Sequence, residues 1–230
     1  NGLQIIQSKD GFRFGMDAVL LSDFARLKAG ERVADMGTGT GILPLLMSQK
    51  RADCVFDAFE LQPDMAEMAR RSVALNGLTD RIRVHAADMR LAARIIGYES
   101  VHAVTCNPPY GKQNGALPNP SEKLLLARHE AGVTIAETAR ACASVLRNGG
   151  RLSMVFPAAR MLELCDELRK NRLEPKRLRM VCAKASKAPY LLLIEAVKNA
   201  KPSVLWLPPL IVYSEDGAET AEIDRIYHRR

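Results

Sequence analysis

The stretch "VHAVTCNPPYGKQNG", Val101 to Gly115, runs apolar and then gathers an amide side chain, two prolines and an aromatic ring at one point. Neither Pro108 nor Pro109 carries an N–H for a strand ladder, and each fixes its own φ, so a strand must end here in a rigid polar corner. Asn107, a Pro108 carbonyl with no donor beside it and the Tyr110 ring are thereby held together. Cys106 next door is read as a packed strand residue and not as a nucleophile. A second cluster lies upstream in "ADMGTGTGIL", where Gly37, Gly39 and Gly41 crowd a strand-to-helix turn. Glycines let the backbone turn sharply and approach a ligand, and the following helix offers its first N–H groups. Glu60 closes the next strand about 20 residues on, the spacing at which a carboxylate accepts the hydroxyls of a ribose. Together these residues describe chemistry on a nucleoside-containing ligand. The loop reads Asp-x-Gly-x-Gly-x-Gly with Asp35 at the strand end and Thr38 inside the turn, unlike the G-x-G-x-x-G that cradles a dinucleotide. Asp88 closes a third strand. Its carboxylate suits the exocyclic amine of an adenine held between Leu61 and Met89, or else it caps the helix that follows.

Positioning such groups requires strand ends in register, and from about residue 31 the pattern alternates short apolar runs with longer amphipathic ones. "ERVADMG" precedes "GILPLLMSQK", "CVFDAFEL" precedes "PDMAEMARRSVALNG", and "RIRVHAAD" precedes "MRLAARIIG". "VHAVTC" leads through a loop to "TIAETARACASVLRNGG", and "RLSMVFP" leads to "AARMLELCDELRKNR". Alternation of this kind predicts parallel strands joined by right-handed crossovers, an α/β doubly wound sheet. "RLRMVC" and "YLLLIEAVK" add two strands with no helix between them. Pro63 fits a first helical turn, Asn76 and Gly77 a helix end, and Gly149 and Gly150 the end of the helix after the loop. The organisation expected is one domain over residues 1–230: a lead-in to residue 30 with helical spacing in its second half, a core over 31–200, and an extension over 201–230.

A glycine loop after the first strand, acids closing the second and third, and Asn-Pro-Pro-Tyr closing the fourth resemble class I S-adenosylmethionine-dependent methyltransferases. The resemblance implies a Rossmann-like, mostly parallel seven-stranded sheet with helices on both faces, and S-adenosyl-L-methionine as cofactor. It implies cofactor contacts from Asp35, Gly37, Thr38, Gly39, Gly41, Glu60, Leu61, Asp88, Met89, Asn107 and Asp17, and no metal. In members of this class that act on a planar nitrogen, the fourth strand ends in (Asn/Asp/Ser)-Pro-Pro-(Tyr/Phe/Trp), matched here by Asn107, Pro108, Pro109 and Tyr110. An aromatic amine is a poor nucleophile because its lone pair is delocalised. The Asn107 side-chain oxygen and the Pro108 carbonyl each accept one of its hydrogens, which favours a pyramidal nitrogen, while Tyr110 stacks on the ring.

The likeness extends further. The lead-in "FRFGMDAVLLSDFA", the block "NPPYGKQNG", "ARHE" at Ala127 to Glu130 and the tail "PPLIVY" resemble the bacterial tRNA (adenine-N6)-methyltransferases that modify the adenosine beside the anticodon of a valine tRNA. That resemblance covers nearly all of the chain. It implies a tRNA partner, with a target already single-stranded and cheap to splay out. It makes Phe14, Gly15, Met16 and Asp17 candidates for a lid over the cofactor, beside the plainer reading of a helix packed on the core. Lys112, Arg128 and His129 are candidate substrate contacts, and the loop Gly111 to Glu122 has the composition of a substrate gate. The basic residues Lys170, Arg172, Lys176, Arg177, Arg179, Lys184 and Lys187 either track RNA backbone or form a solvated face.

Bulk properties agree. A chain of 230 residues that is 47% hydrophobic fits one domain with a real core. The formal charge of +7 favours an acidic partner. Five scattered cysteines without a C-x-x-C pair suit a reducing compartment. With no apolar run near the roughly 20 residues that span a bilayer, the expectation is a soluble cytoplasmic protein. The corner recognises an amine on a flat group and not one molecule, so a glutamine side chain or a base in rRNA or DNA stays open as target. A nicotinamide-dependent oxidoreductase lacks its Tyr-x-x-x-Lys. A non-catalytic RNA-binding protein that retains the cofactor pocket stays as the alternative of another class, with intact Asn107 and Tyr110 arguing against it.

Overall fold

The computed structural model of the chain describes residues 2–8, 14–108 and 133–227. After α1 (Met16–Phe24) the elements alternate: β1 (Arg32–Met36), α2 (Ile42–Lys50), β2 (Val55–Glu60), α3 (Pro63–Leu75), β3 (Ile82–Ala86) and, past a 3₁₀ turn at Met89–Leu91, α4 (Ala92–Ile96). Then follow β4 (Val101–Cys106), α5 (Ile135–Val145), β5 (Leu146–Pro157) and, after a 3₁₀ turn at Ala158–Arg160, α6 (Met161–Lys170). The chain closes with β6 (Leu173–Cys182), β7 (Pro189–Lys198), two-residue strands β8 (Leu205–Trp206) and β9 (Leu210–Ile211), and α7 (Ala221–Ile226).

The strand order is β3-β2-β1-β4-β5-β7-β6-β8, with β9 also on β6. Strands β1 to β5 pair in parallel, as helical crossovers demand, while β7 runs antiparallel to both β5 and β6. The antiparallel step follows from the missing helix: a six-residue connection returns β7 as a hairpin. Both faces are covered. Ala34, Met36, Phe59, Val104, Leu152 and Met154 pack under α4, α5 and α6, whereas Val33, Phe56, Ala103 and Val155 face α1, α2, α3 and α7.

The expected doubly wound sheet is present with two refinements. The core has its seven strands, and the C-terminal extension adds β8 and β9, which pair in parallel with β6 and cover its otherwise open edge. Gly149 and Gly150 do not end a helix, because α5 stops at Val145 and β5 begins at Leu146. They lie where the β4–β5 register jumps from Val101↔Leu146 to Ala103↔Arg151, and a Cβ on Gly150 would come within 2.8 Å of the Arg147 carbonyl. Crowding at this bulge explains Gly150, while Gly149 has open space around it and serves the bulge through a left-handed φ of 71°. Pro63 opens α3 and Asn76 caps it as expected.

The lead-in is fastened at three places. Gln4 and Asn76 exchange hydrogen bonds of 3.0 and 2.6 Å, and the Ile6 N–H donates to Ser72 Oγ at 2.9 Å. Helix α1 buries Ala18, Leu20, Leu21 and Phe24. Beyond it, Arg26 and Arg177 both pair with the fully buried Glu195 of β7.

Candidate active site

The chain moves from β1 outward through β2 and β3, then returns to place β4 on the other side of β1. In an open α/β sheet this reversal leaves a crevice beyond the carboxyl ends of the two diverging strands. Asp35 lies opposite Thr105 there, and Met36 opposite Cys106, so the glycine loop and the Asn107 corner emerge side by side.

The loop is held by the end of β2. Gly37 and Thr38 both donate their N–H to the Phe59 carbonyl, at 3.0 and 2.9 Å. The Gly39 N–H donates to Glu60 Oε2 at 2.9 Å, and the Gln62 N–H donates to Glu60 Oε1 at 2.9 Å. Glu60 therefore clamps the loop, and each of its oxygens keeps a further acceptor position. Gly37 and Gly39 have φ of 75° and 59°, left-handed values that a side chain would strain. Met89 and Met65 lie against them, their Cε atoms each 3.5 Å from where a Cβ would stand. Gly41 lets α2 approach α3: its Cβ would lie 3.3 Å from the Ala69 Cβ.

Asp35 is 1% exposed and accepts one hydrogen bond, from Thr105 Oγ1 at 2.6 Å. Its Oδ2 and the Thr38 hydroxyl are buried without a hydrogen bond, although that hydroxyl is near enough to favour the ionised carboxylate. Burial outweighs both threonines and, with the Glu60 charge, pushes the Asp35 pKa from 3.8 up to about 6. A buried carboxylate with one oxygen unmatched is a group built to meet a donor or a positive charge.

Asp88 caps the 3₁₀ turn, its Oδ1 accepting from the Arg90 N–H at 2.8 Å. Its Oδ2 accepts from Arg90 Nε at 2.9 Å, and Arg90 reaches on to Glu137 at 3.0 Å. The Arg90 guanidinium holds the Asp88 pKa below the usual carboxylate range. The capping alternative is thus realised, and it leaves the carboxylate ionised at the rim of the crevice. Leu61, the residue after β2, is 53% exposed.

At the corner, Pro108 is buried and Asn107 half-buried. Asn107 Nδ2 donates to Asp17 Oδ2 at 3.1 Å, which joins the first turn of α1 to the end of β4. Phe14 and Met16 pack against the α1 cluster, so the lead-in packs a helix on the core and also touches the corner. Pro109, Tyr110, Lys112, Arg128 and His129, with the loop Gly111 to Glu122 and the "ARHE" block, lie outside the described residues.

Much of the basic run is spent on internal contacts. Lys170 pairs with Glu167, Arg177 with Glu195, and Arg179 with Glu222, while Lys176 and Lys184 donate to the carbonyls of Lys201 and Glu215. Several residues that matter were not singled out from the sequence: Thr105, Met65, Arg90 and Glu137. Thr105 was findable only from the β1–β4 register, which places it opposite Asp35.

A family model described as methyltransferase small domain matches residues 6–171. The chain is 30% identical over 198 residues to a tRNA1(Val) (adenine(37)-N6)-methyltransferase of Parabacteroides distasonis, covering 84% of this chain and 81% of that one. An enzyme of the same name from Aliivibrio salmonicida is 27% identical over 210 residues, covering 90% and 86%. A solved structure described as a predicted O-methyltransferase from Agrobacterium tumefaciens superposes with a TM-score of 0.76 at 23% identity, over 93% of this chain and 96% of that one, which shows the fold. A glycine loop clamped by Glu60, an Asn107 corner at the switch point and these matches over most of the chain agree: it belongs to the methyltransferase small domain family and is a methyltransferase.

Proposed function

We propose that this chain transfers the methyl group of S-adenosyl-L-methionine to N6 of an adenine in tRNA, the adenosine 3′ of the anticodon of a valine tRNA. The carrying observation is the placement of Asn107 at the β1–β4 switch point beside the glycine loop, in a chain whose relatives are named for that reaction. The residues of the crevice fit the cofactor. Asp35 Oδ2 and the Thr38 hydroxyl are buried without partners, and Gly37 and Gly39 leave the loop without side chains that would fill the space. Glu60 takes the ribose hydroxyls with its remaining acceptor positions, and Asp88 takes the adenine amine, between Leu61 and Met89. When bound, the cofactor supplies a methyl group on a cationic sulfur, a ready leaving group.

The chain's own work is orientation. Asn107 Oδ1 and the Pro108 carbonyl accept the two amine hydrogens and turn the lone pair toward the methyl. Tyr110 stacks on the base, with Pro109 keeping the spacing, and Lys112, Arg128 and His129 contact substrate. No strong base is demanded, because the amine proton becomes acidic only once the new N–C bond is forming as the S–C bond breaks, and it is then released to water.

Labelled cofactor given to the protein with total tRNA, duplex and single-stranded DNA and a release factor, followed by mass spectrometry of the modified residue, tests this. N6-methyladenosine in tRNA supports the reading. Label confined to protein or to DNA overturns the substrate class.

A further inference from the structure

We propose that Asp17 is a positioning residue: its carboxylate fixes which end of the Asn107 amide faces the substrate. The proposal rests on the reading of Asn107 Oδ1 as acceptor for the amine. An Asn side chain has nearly the same shape after its amide turns by 180°, but the chemistry inverts, because two donors then stand where an acceptor is needed. A corner flipped in that way would repel an amine that is itself a donor. An ionised carboxylate only accepts, so at the observed 3.1 Å it admits Nδ2 and excludes Oδ1, whose lone pairs would face its own. Asp17 Oδ2 thus turns Asn107 Oδ1 away from α1.

Both ends of this contact are held. Asp17 lies in the first turn of α1 and its other oxygen accepts from the Ala18 N–H at 2.9 Å, while the next residues, Ala18, Val19, Leu20 and Leu21, are buried. Asn107 follows the buried Cys106 and precedes the buried Pro108. Gly15 adds a second, independent observation. Its φ of −96° suits any residue, yet a Cβ there would stand 2.8 Å from Asp17 Oδ1. Space, not backbone freedom, explains that glycine: it leaves room for the carboxylate in the orientation that meets Asn107.

The test measures single-turnover methyl transfer to the RNA substrate, and S-adenosyl-L-methionine affinity by calorimetry, for Asp17→Ala, Asp17→Asn and Gly15→Ala, each alone and combined with Asn107→Ala. Asp17→Ala is expected to slow transfer by on the order of tenfold or more, as when other functional side chains lose the group that holds them. Transfer is read at saturating S-adenosyl-L-methionine, so that any contact Asp17 makes to the cofactor stays out of the rate. Asp17→Asn, which keeps the shape and accepts either amide orientation, falls between wild type and Asp17→Ala. Gly15→Ala slows transfer in the same direction. In the Asn107→Ala background the Asp17→Ala change costs nothing further, because nothing is left to orient. Equal loss in both backgrounds means that Asp17 acts through lid packing and overturns the proposal, as does weakened cofactor binding with unchanged transfer. Intact transfer by Asn107→Ala alone overturns the reading of the corner along with it, whereas loss by Asn107→Ala but not by Asp17→Ala overturns only the coupling.

Discussion

At Asp35 a buried carboxylate has one hydrogen bond and a pKa pushed by burial to about 6. Between its ordinary value and that one, the folded protein holds a proton that the unfolded chain has released. The contribution of Asp35 to stability is therefore fully present below about pH 4 and is lost as pH rises through about 6, a cost of about 3 kcal/mol at neutral pH. Asp35→Asn should remove this slope, so that thermal melting from pH 4 to 7 shows wild type losing stability relative to the variant. A cation bound beside Asp35 offsets the same cost, so S-adenosyl-L-methionine affinity should rise as pH rises through about 6 in wild type and lose that dependence in Asp35→Asn; calorimetry across this range checks it. The acid, the glycines and the Asn-Pro-Pro corner were legible because each is a residue type forced by local chemistry. Thr105 and the Asp17–Asn107 contact were not, because both join residues 70 and 90 positions apart through strand register and helix docking that local pattern does not encode.

Elements were read well where they punctuate themselves. Pro63 and Asn76 bound α3, and the two strands expected with no helix between them are β6 and β7, which the structure pairs as an antiparallel hairpin. Gly149 and Gly150 misled because a glycine pair after an amphipathic run looks like a helix end, while crowding against the Arg147 carbonyl is invisible before the sheet is assembled. The two-residue strands β8 and β9 lie below any periodicity signal and exist only as partners of β6. At this scale the glycine loop is testable. Gly39→Ala has room for its Cβ but keeps a φ of 59°, so its cost is backbone strain of roughly 1–2 kcal/mol, a fall of about 2–8 °C in Tm. Gly41→Ala adds crowding at 3.3 Å from Ala69 to a φ of 87° and should melt lower still. Equal melting of both variants and wild type contradicts this account of the loop.

Across the whole molecule the charge of +7 points to an acidic partner, yet its location was the least legible property. Composition counts cations without their partners, and the structure pairs many of them. Arg179 donates to both oxygens of Glu222, at 2.9 and 2.8 Å, and to the Pro208 carbonyl at 3.0 Å, which ties β6 to the C-terminal extension. Arg177 is bound to Glu195 and lies over the Phe24 ring at 4.0 Å. Arg177→Ala and Arg179→Ala should lower Tm while leaving KM for the RNA unchanged. A raised KM with intact stability would return these residues to an RNA-contacting role. Among the described residues no helix is long and apolar enough to cross a membrane.

The central claim is that the Asn107 corner at the β1–β4 switch point carries methyl transfer while the glycine loop and its acids carry the cofactor. Single-turnover transfer to tRNA by Asn107→Ala, with S-adenosyl-L-methionine affinity measured on the same sample, tests it most directly. The account predicts a loss on the order of 100-fold or more in rate with unchanged affinity. Wild-type rate in that variant, or a loss explained by weakened cofactor binding, would contradict it.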